Sequence, residues 1–381
     1  MFALLPPLSL YVHLPWCGKK CPYCDFNSHA ARASDIPEAA YLQALERDLR
    51  QNLHAVQGRR LGSIFFGGGT PSLFSAAAIG RIIGLARRHI GLVDDAEITL
   101  EANPDSADAA RFAGYRRAGV NRLSIGVQSF ADRRLVALGR LHSAAQARRA
   151  YHLARRAGFD NINLDLMFGL PGQDLAGVRA DLEQAIALRP EHLSWYELTI
   201  EPNTAFYRVP PARADADALA DMAEMGLALL AEHGFQRYET SAFAVAGRQC
   251  RHNLNYWRFG DYLGIGAGAQ GKHSERVSGA IIRQAKTRHP QHYMDRIGSY
   301  VAHRQRVSGR ELLGDYMLGA LRLIDGVPLR DAAMHTRLSP AALLQACQPA
   351  MERGLLKVAG EQLRPTEPGT RLLNLCLQTF L

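Results

Sequence analysis

The sequence contains no apolar run approaching the roughly 18 residues that a membrane-spanning helix needs. Its opening, Met1 to Leu10, is apolar but has no basic lead and carries Pro6 and Pro7, so it reads as the approach to a strand and not as a secretory signal. A cytoplasmic protein is expected, with peripheral membrane contact left open. Cysteine is scarce, six in 381 residues, and Cys250, Cys347 and Cys376 are scattered. That is no disulfide framework. Internal repeats and low-complexity tracts are absent. Acidic residues number 36 against 45 basic ones, for a net charge of +9, and arginine supplies most of the excess. A positive balance suits anionic ligands. No basic run interleaves with aromatics, however, so nucleic acid is not an expected partner.

What is present is a short loop holding the other three cysteines. Tyr11 to Phe26 reads Tyr-Val-His-Leu-Pro-Trp-Cys-Gly-Lys-Lys-Cys-Pro-Tyr-Cys-Asp-Phe, which places Cys17, Cys21 and Cys24 at the spacing C-x3-C-x2-C. Three thiolates can hold three irons of a [4Fe-4S] cube, where four thiolates are the usual complement. The missing fourth leaves one iron open to a small chelating molecule. A zinc site with His13 as fourth ligand is the alternative, because structural zinc asks for four closed ligands. An exposed cluster loop also requires a reducing compartment.

The apolar pattern predicts six strands over Leu8–Leu14, Ser63–Phe66, Glu97–Glu101, Arg122–Val127, Asn161–Met167 and His192–Leu198. Helical stretches over 38–56, 76–90, 105–118, 143–157 and 175–188 separate them. Strands alternating with helices imply a parallel sheet with right-handed crossovers. Six such units are too few for a closed eight-fold barrel, so the α/β fold expected is an open, partial (β/α)6 TIM-like barrel over 1–201. An α+β extension over 202–305 is expected to pack across its open side. A small C-terminal domain over 306–381 shows three helices and a hairpin, a winged-helix-like pattern. Its candidate recognition helix ends on a single base, Arg353, so a lid or docking role fits better than DNA binding. Polar residues recur at the carboxyl ends of the strands, where barrel chemistry lies: Gly67-Gly68-Gly69-Thr70-Pro71, Glu101 with Asn103, Gln128, Asp165, and Glu197 with Thr199. Each alone could be a cap or turn; together, in strand order, they are hard to explain that way.

The three-cysteine loop behind a strand, with Tyr11, His13 and Pro15 ahead of it and Tyr23 before its third cysteine, resembles the HemN/HemW branch of the radical S-adenosylmethionine (SAM) superfamily. The resemblance covers nearly the whole chain. It implies the partial-barrel fold, a [4Fe-4S] cluster on Cys17, Cys21 and Cys24, and SAM chelating the open iron. It further implies SAM contacts from Tyr11, Tyr23, Gly68, Gly69, Thr70, Glu101, Gln128, Arg140, Asp165, Thr199 and Gln270. Of these, Arg140 suits the carboxylate, Glu101 the ammonium, Gln128 and Asp165 the ribose, and Tyr23, Thr199 and Gln270 the adenine. The glycines would let backbone approach the methionine end. The plain readings are a surface charge for Arg140 and helix caps for Glu101 and Asp165.

Two kinds of protein share that branch: oxygen-independent coproporphyrinogen III oxidases and HemW-type haem chaperones. The oxidases carry a further cysteine where this chain has Phe26, and an N-terminal extension where this chain begins its first strand almost at once. His252-Asn253-x-x-Tyr256-Trp257 is the H-N-x-x-Y-W motif of the chaperone side. The resemblance therefore implies haem as a further ligand, with His252, Asn253, Tyr256 and Trp257 as candidate contacts, and a haem-accepting protein and an electron donor as partners. His252 could equally be a satisfied polar residue that orients its segment.

Overall fold

The computed structural model describes residues 4–381. Six parallel strands form where the apolar pattern places them: β1 (Leu8–Leu14), β2 (Leu61–Gly68), β3 (Leu92–Ala102), β4 (Arg122–Gln128), β5 (Ile162–Phe168) and β6 (His192–Glu197). Helices Glu38–Gln51, Ala76–His89, Ala109–Ala118, Ala144–Arg156 and Leu175–Ala187 connect them. Their starts follow local chemistry. Ser75, Asp108, Ser143 and Asp174 each accept hydrogen bonds from the first turn, and Ser143 with Gln146 completes a capping box.

Alternation along the strands gives the barrel two unlike faces. Leu10, Val12, Ile64, Phe66, Leu100, Ile125, Leu164 and Leu193 point outward, are buried beneath the helices and form the main core. The opposite face carries Ser9, Tyr11, Ser63, Glu97, Glu101, Ser124, Asn163, Asp165 and Ser194, which registration sets side by side. A (β/α)8 barrel fills its interior with branched apolar side chains. Here the interior is polar, and a polar interior needs either a hydrogen-bond network or a ligand.

The segment after residue 202 differs from the expectation. It does not simply lie across the opening but lengthens the sheet at both edges. Strands β7 (Gln236–Glu239) and β8 (Ala242–Ala244) add antiparallel to β6, whereas β9 (Asp261–Ile265) adds parallel to β1, followed by antiparallel β10 (Gln270–Ser274), β11 (Ile281–Lys286) and β12 (Val301–Val307). The sheet order is β12-β11-β10-β9-β1-β2-β3-β4-β5-β6-β8-β7 among the described residues. A seventh parallel strand thus comes from the segment read as a cover, and its Leu263 and Ile265 join the main core. The reason is in Leu-Gly-Ile-Gly-Ala-Gly: Gly264 sits where a Cβ would meet the Gln270 carbonyl at 1.9 Å, so the chain can double back tightly into β10.

Residues beyond 307 pack around a second core, with helices Gly309–Ala320, Leu329–Thr336 and Pro340–Glu352 and a three-stranded sheet of Val327–Pro328, Leu356–Ala359 and Gln362–Pro365. Phe259 and Ile281 of the preceding segment belong to this core too, which ties the terminal domain to the barrel edge.

Candidate functional site

The segment Arg251–Trp257 folds as a seven-residue helix. The buried carboxylate of Glu97 on β3 accepts hydrogen bonds from the backbone N–H groups of Arg251 and His252, both at 3.1 Å, and faces the Cys250 thiol at 3.5 Å. A carboxylate on a helix N-terminus satisfies orphan donors and complements the helix dipole. Helical spacing then sorts the motif into two pairs. His252 and Tyr256 face the barrel wall: His252 Nδ1 pairs with Ser63 Oγ at 2.8 Å and Nε2 with Tyr256 Oη at 2.9 Å. Burial pushes this imidazole down to about 3, with the Arg122 charge adding to the effect. Asn253 and Trp257 instead line a cavity of about 340 Å³ at the carboxyl ends of the strands.

That cavity gathers most of the residues singled out from sequence. Cys17, Cys21 and Cys24 line it, together with Tyr23, Gly68, Gly69, Thr70, Glu101, Gln128, Arg140 and Asp165. Three of the residues implied for SAM are not brought there. Tyr11 and Gln270 line a larger neighbouring cavity, and Thr199 is exposed beyond the end of β6. Tyr256 lines the larger cavity, while His252 is sealed behind it.

The charges in the smaller cavity are unbalanced. Glu101 is pushed up to about 8, first by burial and then by the nearby Asp165 charge, against the opposing Gly68 N–H. Burial also raises Asp165, although Asn163, Ser124 and Ser194 all hydrogen-bond to it. Neither acid has an ion pair among the described residues, and only the Arg122 charge works to hold Asp165 down, so the two together form a place for a cation. Arg140 supplies the opposite sign. One Nη donates to Asn103 Oδ1 at 2.8 Å and the Gly126 carbonyl at 2.9 Å, the other lies 3.7 Å from Cys21 Sγ, and its buried Nε has no partner among the described residues. An orphaned guanidinium N–H calls for an acceptor such as a carboxylate. A zwitterionic amino acid head bearing one further positive charge would satisfy all three groups.

The cysteine loop is stitched to the glycines behind it. The Gly69 and Thr70 N–H groups donate to the carbonyls of Leu14 at 2.8 Å and Trp16 at 2.7 Å. A Cβ at Gly69 would meet the Trp16 carbonyl oxygen at 2.3 Å, and one at Gly68, where φ is +118°, would meet the His13 ring at 2.8 Å. These glycines therefore give close passage to the loop's own lead-in, a role different from the approach to a ligand expected from sequence. Burial raises the Cys17 and Cys24 thiols, so their thiolates need a metal's charge. Among the described residues no three His, Cys, Asp or Glu side chains are gathered tightly enough to hold a single metal ion. A cube asks for something else, one thiolate per iron with the thiols spread apart. His13, the alternative fourth zinc ligand, lines the other cavity, and its nitrogens engage Tyr11 Oη at 3.0 Å and the Asn27 carbonyl at 2.9 Å.

Comparison with known proteins bears on this arrangement. Residues 11–185 match the radical SAM superfamily and residues 307–372 the HemN C-terminal domain. The chain is 48% identical to the heme chaperone HemW of Haemophilus influenzae, over 99% of this chain and 98% of that one, and 48% identical to its Escherichia coli counterpart over 99% of both. The chain belongs to the HemW family of radical SAM proteins. A mitochondrial radical S-adenosyl methionine domain-containing protein 1 of Bos taurus is 38% identical over 84% of this chain and 74% of its own. Among solved structures, the coproporphyrinogen III oxidase HemN of Escherichia coli superposes with a TM-score of 0.82 at 23% identity, covering 98% of this chain and 90% of that one, which shows the shared fold.

Sequence reasoning missed Ser124, Ser194 and Tyr196 in the cavity wall. The signal was available in the alternation, because each is a polar residue on the inward face of a strand whose outward neighbours are apolar. Gln128 carries a second signal only the backbone shows: its φ is +66°, and its side chain accepts from Tyr196 Oη at 3.1 Å. A non-glycine residue held in the left-handed region at a strand end marks a constrained site.

Proposed function

We propose that this chain binds haem and passes it to acceptor proteins, and that it carries a [4Fe-4S] cluster on Cys17, Cys21 and Cys24 whose fourth iron is chelated by SAM. Full-length identity of 48% to two proteins named heme chaperones carries the cargo half of this reading. For the cofactor half, the convergence of three thiols, two buried acids without an ion pair among the described residues and an arginine with an unpartnered Nε on one cavity is the supporting observation.

When bound, such a cluster supplies a single electron to the SAM sulfonium. What the chain itself contributes is placement. Arg140 would take the SAM carboxylate through its unpartnered Nε, Glu101 the ammonium, and Asp165 with Gln128 the ribose hydroxyls, all in a cavity walled by Tyr23 and Tyr196. Free thiols at all six cysteines suit a reducing compartment. An electron donor and a haem acceptor are the partners this reading requires.

Anaerobic reconstitution followed by haemin titration tests it. About four irons per chain are expected from a cube with its usual complement, along with saturable haem binding and transfer to an apo-haemoprotein. A second reading, a porphyrinogen-decarboxylating enzyme, is favoured only by the shared HemN fold. It would replace the first if the reconstituted protein bound no haem but converted coproporphyrinogen III under strict anaerobiosis.

A further inference from the structure

The cavity beside the cluster chamber has a volume of about 720 Å³, within the range of small-molecule sites. Phe26 and Trp257 line both cavities, so the two share a wall. Most of the groups on its surface that could bind a metal are already engaged. Both His13 nitrogens are hydrogen-bonded, Tyr11 Oη faces His13, and Tyr256 Oη faces His252. Tyr262 is different. It stands on β9 opposite Ser9 of β1, on the inward face, with its ring edge-on to Tyr256 at 4.4 Å between centroids. Its hydroxyl has no hydrogen-bond partner among the described residues.

The cations of this cavity also divide into two kinds. Lys272 and Lys286 are buried and paired, Lys272 with Asp261 at 2.9 Å and Lys286 with Asp48 at 2.7 Å. Arg283 commits Nε to Asp315 at 2.5 Å and leaves its two terminal amino groups without partners among the described residues, while Arg288 is exposed and has no ion pair among them. The mouth is apolar, with Phe26 62% and Leu318 41% exposed. A free phenol, two available guanidinium groups and an aromatic rim describe a receptor for a flat, dianionic iron chelate.

We propose that this cavity is the cargo site, where ferric haem stands with Tyr262 Oη on its iron and its two propionates on Arg283 and Arg288. The proposal rests on the haem-carrier reading above and deepens it. On binding, an iron–oxygen bond forms, the phenolic proton leaves to solvent, and the weak water or halide ligand of free haemin departs. The iron stays ferric and no electron moves. Tyrosinate is a known haem ligand; burial raises this phenol, the adjacent Arg283 charge opposes that, and the Asp315 and Asp261 charges add to it, so the ferric iron has to supply the rest of the stabilisation.

The test is titration of the full chain with haemin, with iron-free protoporphyrin IX and with haemin dimethyl ester, read by absorbance and by ferric electron paramagnetic resonance. Wild type should show the charge-transfer band of a ferric phenolate. Tyr262→Phe should lose that band and weaken haemin binding by about tenfold or more, while its protoporphyrin affinity and melting temperature stay at wild-type values, since the lost hydroxyl has no partner inside the chain. Arg283→Gln with Arg288→Gln should weaken haemin and protoporphyrin alike by about tenfold but leave the dimethyl ester unaffected. If wild type binds no haemin, the carrier reading fails and this proposal with it. If wild type binds and Tyr262→Phe keeps the spectrum, the carrier reading stands and the phenol assignment is overturned. Equal losses for haemin and its dimethyl ester would overturn the arginine assignment.

Discussion

The two neighbouring cavities are built on different principles. The smaller one is polar and electrostatically unfinished: Glu101 and Asp165 have no ion pair among the described residues, the Arg140 Nε has no acceptor there, and burial raises the Cys17 and Cys24 thiols. The larger is aromatic and mostly finished, its lysines paired and its histidine satisfied. A chamber of unbalanced charges suits a tightly held charged cofactor. A satisfied aromatic wall suits a ligand that must also leave. What binds in the first should thus be costly to dislodge by single substitutions elsewhere, and what binds in the second should depend on a few contacts.

The sharpest way to break that contrast is at the thiols. Cys17→Ser, Cys21→Ser or Cys24→Ser should abolish stable cluster binding outright, read as iron and sulfide content after anaerobic reconstitution. Cys347→Ser and Cys376→Ser should leave it intact, since both lie in the C-terminal core. Retention of a cluster by the triple serine variant would end the cofactor assignment. Next in size is Glu97→Ala. It removes the shared acceptor for two helix N–H groups in a buried place, so thermal stability should fall by about 2–4 kcal/mol. The helix it anchors serves both cavities, so SAM and haem binding should weaken together. Loss of one alone would show that Asn253 and Trp257 are placed by something other than this helix start.

How much of this was legible beforehand follows from the kind of signal each residue carries. The six barrel strands and the cysteine loop were readable because alternation, capping and spacing are local. The helix Arg251–Trp257 was not, because its start depends on Glu97, more than 150 residues away in sequence, and no local cap announces it. The glycine-rich run of β9 signals a close backbone approach in the sequence, but not that the approach is edge-to-edge pairing with β1, because the partner lies about 250 residues away. The unlike roles of His252 and Trp257 could not be separated by composition. They separate only once the helix fixes which of them faces Ser63 and which faces the cavity.

Arg140→Ala sharpens the smaller cavity alone. Loss of a charge-assisted partner should cost about 1.5–3 kcal/mol, or roughly ten- to a hundredfold in SAM affinity. Isothermal titration of the reconstituted protein reads this, and haem affinity should not move. Glu101 adds a pH dependence of defined sign. Its carboxyl, held at about 8 without a ligand, is neutral at pH 7. A bound cation favours the ionised form, so binding expels a proton and SAM affinity should rise with pH until about 8, by at most about tenfold per unit. Glu101→Gln should flatten that slope. The same group acts on stability in the other direction. Its folded value lies above the unfolded carboxyl value, so its contribution is complete below about 4.3 and is lost as pH rises through about 8. A SAM affinity independent of pH between 6 and 8 would mean that Glu101 does not face the ammonium.

The smallest expected effect lies in the wall of the larger cavity and concerns Tyr256→Phe. Its hydroxyl is the only partner of His252 Nε2 among the described residues, 2.9 Å away, and His252 is fully buried. Removing it keeps the ring that packs on Tyr262 and leaves one buried imidazole nitrogen unsatisfied. Such a group costs about 1–2 kcal/mol, which thermal or denaturant melting resolves. The imidazole is held neutral well below its ordinary range, so the loss should be the same at pH 6 and pH 8. Tyr256 lines the larger cavity, but its ring is kept and its hydroxyl is turned to His252, which reaches neither cavity, so the cluster spectrum and the haem spectrum should both be those of the wild type. A changed haem spectrum in Tyr256→Phe with unchanged stability would mean that the His252–Tyr256 pair opens toward the cargo, and the division of the motif into a structural face and a cavity face would have to be redrawn.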